Sequence, residues 1–145
     1  MSTAIYDDRG IRFEYPGDWE LDLTEDGTRT TVSVQAPSGL AFALVTIDED
    51  EDADPDAMVA EALAALKVDY PTLAAEPTAE TLDGYPGSGF DVEFVSLDLS
   101  VACTLRGFQT PRRTLFLLTQ WSDLESLDSD DALRTLRESI EETDA

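Results

Sequence analysis

The residues best suited to chemistry lie in an acidic stretch from Asp48 to Glu61, DEDEDADPDAMVAE. Four of its carboxylates have the spacing of positions 1, 3, 5 and 12 in an EF-hand calcium loop: Asp50, Asp52, Asp54 and Glu61. Position 6 of that loop is normally glycine, because the chain turns sharply there. Pro55 occupies the position here and fixes φ near about −65°. Calcium binding through residues 50–61 is therefore kept only as a second alternative function.

The start of a helix explains the same residues. Asp54 is a favoured N-cap, and Pro55 suits the first helical position. Carboxylates near a helix N-terminus also interact favourably with the helix dipole. We therefore predict that the acidic stretch begins a helix and binds no metal.

The chain lacks the residue types that most catalytic and metal sites require. It contains no histidine and one cysteine, Cys103, which excludes a Cys/His zinc site, a Ser-His-Asp triad and a Cys-His pair. Cys103 alternates with apolar neighbours, so we predict a buried, inert thiol. The stretch Gly84–Gly89 lacks the lysine of a phosphate-binding loop. We expect no catalytic residue and no cofactor, and hence no enzyme.

Net charge narrows the class of protein further. Asp and Glu number 32 against nine Lys and Arg, which gives a net charge of −23. A nucleic-acid-binding protein needs the opposite sign. The apolar residues make up 42% of the chain and recur in ordered periods, which argues against disorder. We predict adaptation to high salt, because at about 1 M salt the Debye length is only about 3 Å and self-repulsion is screened.

Two further patterns concern location and the few cationic residues. No run of apolar residues approaches the length of a membrane span, and the N-terminus lacks a basic and apolar leader, so we expect a cytoplasmic protein. Arg106, Arg112 and Arg113 form the only local basic cluster, and we predict that they pair with acidic neighbours or cap a hairpin. Trp19 and Trp121 are predicted to seal the core.

Hydrophobic periodicity predicts strands, a helix, more strands and a final helix. Leu40–Ile47 and Thr114–Trp121 are apolar on both faces, as central strands would be. Ala74–Leu82 reads as an edge strand because it contains Pro77. The remaining strands are predicted near 11–15, 19–24, 32–34, 90–94 and 99–105. The helices are predicted near 55–70 and 130–142. A turn is predicted at 83–87 and a capping box at 122–125. The pattern indicates one α+β domain, 1–145, with helices on both sides of a mainly antiparallel sheet of about 6–8 strands.

The segment Ile11–Trp19, IRFEYPGDW, resembles the opening of the PsbP and Mog-type families. The Leu82–Gly84 turn, the strand RTLFLLTQW and a C-terminal helix containing Ser139 agree with the same order of elements. The resemblance implies a three-layer α/β/α sandwich and a non-enzymatic accessory protein. The expected function is binding of another protein. The first alternative is a small-molecule or lipid-binding pocket.

Overall fold

The computed structural model describes residues 3–123 and 127–143, with the side chains of 127–129 left out. This part of the chain forms two antiparallel sheets and two α-helices. The strands are β1 (Thr3–Asp8), β2 (Ile11–Pro16), β3 (Glu20–Asp26), β4 (Arg29–Gln35), β5 (Ala41–Asp48), β6 (Ala74–Leu82), β7 (Tyr85–Ser96), β8 (Leu99–Gln109), β9 (Thr114–Ser122) and β10 (Glu141–Glu142). The helices are α1 (Pro55–Asp69) and α2 (Leu127–Ser139).

The larger sheet has seven strands in the order β3-β4-β5-β9-β8-β7-β6. β5 and β9 are central in it, which confirms the prediction made from their two apolar faces. β6 lies at one edge and pairs only with β7, which is the kind of strand in which a proline such as Pro77 is tolerated. The predominance of antiparallel pairing is confirmed.

Helix α1 begins at the acidic stretch and packs on β7, β8 and β9. Its buried residues are Met58, Val59 and Leu63. A Cβ atom at Gly107 would lie 2.6 Å from the carbonyl oxygen of Pro55. Only glycine therefore allows the first turn of α1 to approach β8 this closely.

Helix α2 packs on the smaller sheet, whose strand order is β1-β2-β10, and on β5 and β9 of the larger one. Leu133 and Leu136 of α2 are fully buried with Phe13 of β2. The Ser139 hydroxyl accepts a hydrogen bond from the Glu14 amide at 2.8 Å and donates one to the Leu136 carbonyl at 2.9 Å. This serine thus joins the last turn of α2 to β2.

Alternate residues of the central strands belong to two separate apolar clusters. On β9, Leu115 and Leu117 belong to the cluster that contains α2, whereas Phe116 belongs to the cluster that contains α1. This alternation is the period of two expected of a strand that is covered on both faces.

The structure differs from the predictions in the number of sheets and in several element boundaries. One sheet was predicted, but β1 and β10 join β2 in a second one. The turn predicted over 83–87 is only two residues long, because Asp83 and Gly84 both take positive φ (52° and 80°) and β7 begins at once. The second helix ends at Ser139 rather than 142, because the following residues form β10. The predicted capping box includes Leu124 and Glu125, which lie outside the described residues.

Candidate binding sites

Asp48 is the buried end of the acidic stretch. Its carboxylate accepts hydrogen bonds from the Thr28 hydroxyl at 2.8 Å, the Arg29 Nε at 2.8 Å and the Asp50 amide at 2.9 Å. Burial alone would raise the pKa of Asp48, but these hydrogen bonds and the Arg29 charge favour the ionised form, and the pKa is lowered from its ordinary value. The resulting stability is present above the unfolded-state pKa and is lost as pH falls through the lowered one.

The other carboxylates of the stretch serve the helix entrance. Asp50 accepts from the Asp52 amide at 2.9 Å, and Asp54 caps α1 by accepting from the Asp56 amide at 3.0 Å. Asp56 accepts from the Ser88 hydroxyl at 3.1 Å. Among residues 3–123 and 127–143, no three His, Cys, Asp or Glu side chains gather as metal ligands would. The N-cap prediction for Asp54 is confirmed, and the loop geometry gives calcium binding no support.

Arg106 lies at the centre of a buried charge network on β8. Its side chain is 5% exposed, and it donates to Glu80 at 2.8 Å and to Asp91 at 2.8 Å. Its Nη1 also donates to the Phe90 and Leu105 carbonyls, so each of its three nitrogens is bonded. The prediction that this arginine pairs with acidic neighbours is confirmed.

Two glycines of β7 lie beside this network. The strand register places Gly89 opposite Arg106 and Gly87 opposite Glu80. A Cβ atom at Gly89 would lie 1.7 Å from the Leu105 carbonyl oxygen, and one at Gly87 would lie 3.1 Å from the Glu80 carbonyl oxygen. Glycine at these positions therefore lets β7 lie close to the backbones of β8 and β6.

Arg113 joins the ends of several strands. Its side chain is 7% exposed, and its Nη1 lies 3.2 Å from Glu142 of β10. A Cβ atom at Gly10 would lie 2.1 Å from the Arg113 guanidinium, so the β1–β2 turn closes directly over this group. Arg112, by contrast, is exposed in the β8–β9 connection. The three arginines of the predicted cluster therefore have separate surroundings, and the structure does not bring them together as one basic patch.

An exposed apolar tip is formed by Val95 and Leu97, where β7 turns into β8. Leu97 is 93% exposed and Val95 is 66% exposed. Leu97 and Asp98 have φ values of 51° and 65°, which is typical of a type I′ turn. Such turns favour Asn-Gly, and a left-handed residue with a Cβ costs about 1–2 kcal/mol. The hairpin therefore carries a large apolar side chain where both hydration and backbone conformation disfavour it.

A groove of about 600 Å³ opens beside this tip. Trp121 lines it together with Phe94 and Val95 on β7. Trp19 is buried in the core, as predicted, and Trp121 is half-buried: it packs against the same apolar cluster and also lines this groove. Glu93 and Asp123 also line the groove. Apolar and acidic side chains thus lie together at this end of the sheet.

Cys103 is 1% exposed on β8, and burial raises the pKa of its thiol to about 12. Because the thiolate is the nucleophile, we expect no alkylation by iodoacetamide at pH 8 in the folded protein and one adduct per chain in urea. Mass spectrometry of the two reactions checks this. Alkylation of the folded protein at the rate of a free cysteine peptide would contradict the predicted inert thiol.

No helix among the described residues combines the length and apolarity needed to span a membrane.

Comparisons with known proteins identify the fold. No protein-family model and no curated protein sequence matches the chain. The solution structure of cyanobacterial PsbP (CyanoP) from Synechocystis sp. PCC 6803 has a TM-score of 0.67 at 11% identity, and the match covers 97% of this chain and 92% of that one. LpqN, involved in cell envelope biogenesis of Mycobacterium tuberculosis, has a TM-score of 0.61 at 20% identity, with 98% and 91% covered. A crystal structure from Bacteroides thetaiotaomicron VPI-5482 has a TM-score of 0.59 at 9% identity, with 97% and 47% covered. At these identities the matches show the fold alone, and that fold is PsbP-like.

Proposed function

We propose that this chain is a non-enzymatic accessory protein that binds another protein through the apolar tip of Val95 and Leu97. The observation that carries the proposal is Leu97, which is almost fully exposed in a left-handed backbone conformation. A residue that is unfavourable to the free fold in two ways is typical of a functional surface. We infer that the tip inserts into an apolar pocket of the partner.

Charge around the tip adds to the description of the partner. Glu93 and Asp123 line the neighbouring groove, and Asp98 is exposed in the turn itself. Opposite charges at the margin of an interface raise the association rate and disfavour wrong partners. The partner pocket should therefore carry Lys or Arg at its edge.

The remaining parts of the proposal concern the setting. We infer a three-layer α/β/α arrangement, supported by the separate clusters of α1 and α2, and a cytoplasmic protein adapted to high salt, supported by the net charge of −23. The lack of histidine in the chain supports a non-enzymatic role.

Site-specific photo-crosslinking tests the binding surface. A photoreactive phenylalanine analogue replaces Val95 in one variant and Leu23 in a matched control; Leu23 is a 51% exposed residue on β3, at the opposite half of the large sheet. In a lysate of the source cells held at molar KCl, we expect one light-dependent adduct from position 95 and none from position 23. Excess unlabelled wild-type protein should compete the adduct away, whereas excess Leu97→Asn should not. The same adducts from both positions would contradict the proposal.

A small-molecule site is the second candidate function. A second groove lies between α2 and the sheet and shares Glu93 and Trp121 with the first. It favours this function, because Arg106, Arg134 and Arg137 all line it.

A further inference from the structure

The groove between α2 and the larger sheet has a lining unlike the rest of this acidic molecule. Its volume is about 340 Å³, near the lower end of the roughly 300–1,000 Å³ typical of ligand sites. Among the residues that the structure describes, three arginines and three acids line it, so these side chains sum to a formal charge of zero in a chain whose net charge is −23. These residues are Asp91, Glu93, Arg106, Asp130, Arg134 and Arg137.

Small side chains keep the floor of the groove low. The register places Ala102 between Glu93 and Trp121, and Thr104 between Asp91 and Thr119. The Thr104 hydroxyl, which lines the floor, forms a hydrogen bond with the hydroxyl of the neighbouring Thr119. The larger residues around them form the walls, and the Trp121 indole contributes an apolar wall.

Most of the charged groups in this groove are already paired. Each nitrogen of Arg106 is bonded within its network, with Asp91 as one partner. Arg134 contacts Asp130 at 3.4 Å and Asp131 at 3.5 Å on its own helix. These pairs fix the walls of the groove but leave it few groups that could contact a ligand.

Two groups of opposite charge remain. Arg137 contacts Glu80 through Nε alone, at 3.4 Å. No residue in the described part of the chain forms a hydrogen bond or ion pair with its two terminal nitrogens. Glu93 has no hydrogen bond or ion pair with any residue that the structure describes. Of the side chains that the structure describes, the groove therefore presents one guanidinium end, one carboxylate and the Trp121 indole.

We propose that this groove binds a free α-amino acid with an apolar side chain. The ligand carboxylate would pair with the terminal nitrogens of Arg137, since a guanidinium can bind a carboxylate through two parallel hydrogen bonds. The ligand ammonium would pair with Glu93, and the side chain would lie along Trp121. A ligand with only negative charge is disfavoured, because acidic residues line the groove. A ligand with only positive charge would not prefer the groove, because carboxylates cover the rest of the surface as well. A dipolar ligand alone uses both free groups. This inference does not depend on the proposed protein partner.

Three related probes test the charge requirement: L-phenylalanine, N-acetyl-L-phenylalanine, which lacks the ammonium group, and L-phenylalaninamide, which lacks the carboxylate. Binding is measured by titration calorimetry and ligand-observed NMR in 1 M KCl. We expect saturable binding of L-phenylalanine at millimolar concentration or below. Each derivative should bind at least about tenfold more weakly, because each loses a charge-assisted hydrogen bond. No saturable binding of L-phenylalanine, or equal binding of all three probes, would overturn the proposal.

Two variants assign the partners. In Arg137→Gln, the preference for L-phenylalanine over the amide should disappear while the preference over the N-acetyl form remains. In Glu93→Gln, the preference for L-phenylalanine over the N-acetyl form should disappear while the preference over the amide remains. Arg112→Gln, at an exposed arginine away from the groove, is the control and should leave all three affinities unchanged. A general loosening of the groove would weaken L-phenylalanine without this selectivity, and that result would overturn the assignment of Arg137 and Glu93.

Discussion

Replacing Arg106 by methionine should lower the free energy of unfolding by about 3 kcal/mol. Removing one partner of a buried ion pair typically costs about 3–5 kcal/mol, because the other charge is left uncompensated. Glu80 would keep its 3.4 Å contact with Arg137, and Asp91 is 56% exposed and can be hydrated, so the lower end of that range applies. Urea unfolding in molar KCl measures the difference.

Two controls separate the network from a general effect of losing an arginine. Arg112→Met removes an equal charge at an exposed position and should change stability by no more than about 0.5 kcal/mol. Combining Arg106→Met with Glu80→Gln should cost less than the sum of the two single changes, because the second removes the charge that the first leaves unpaired. An Arg106→Met protein as stable as wild type would mean that the network contributes nothing to the fold.

Raising KCl from 0.1 M to 2 M should increase the free energy of unfolding by a few kcal/mol. Two unit charges about 10 Å apart repel by roughly 0.4 kcal/mol in water. The Debye length is about 10 Å at 0.1 M salt and about 3 Å at 1 M, so roughly a third of this repulsion remains at the lower concentration and almost none at the higher one. Several such neighbours around each of the 23 uncompensated charges give a total on the order of a few kcal/mol.

A variant with less charge distinguishes screening from other effects of salt. Changing Glu20, Asp22 and Asp26 on the exposed edge strand β3 to their amides should stabilise the protein in 0.1 M KCl. The gain should shrink in 2 M KCl, where the charges are already screened. Stability that is equal at both salt concentrations in the wild-type chain would contradict adaptation to high salt.

Strong local patterns allowed much of the fold to be predicted. β5 and β9 were identified as central because both of their faces are apolar, and β6 as an edge because of Pro77. β1 was missed because only Tyr6 of its six residues is buried, so its alternation is too weak to detect. β10 was missed because it has two residues and depends on pairing with β2, far away in sequence.

The candidate sites were harder to predict for a different reason. The sequence indicated that Arg106 would pair with acids, but 32 candidates are available and only the register brings Glu80 and Asp91 to it. The turn at Leu97 contains no glycine or proline to mark it. Leucine at position 97, where a type I′ turn favours asparagine, is itself informative, because its side chain is the one that we propose to bind the partner.

The free energy of unfolding of Leu97→Asn, compared with wild type in molar KCl, tests most directly whether Leu97 is present for binding rather than for folding. Asparagine tolerates positive φ at a type I′ turn, and the change removes an exposed apolar side chain. We predict that the variant is more stable than wild type by about 1 kcal/mol. A variant less stable than wild type would show that the leucine supports the fold, and the proposed binding tip would then lose its main argument.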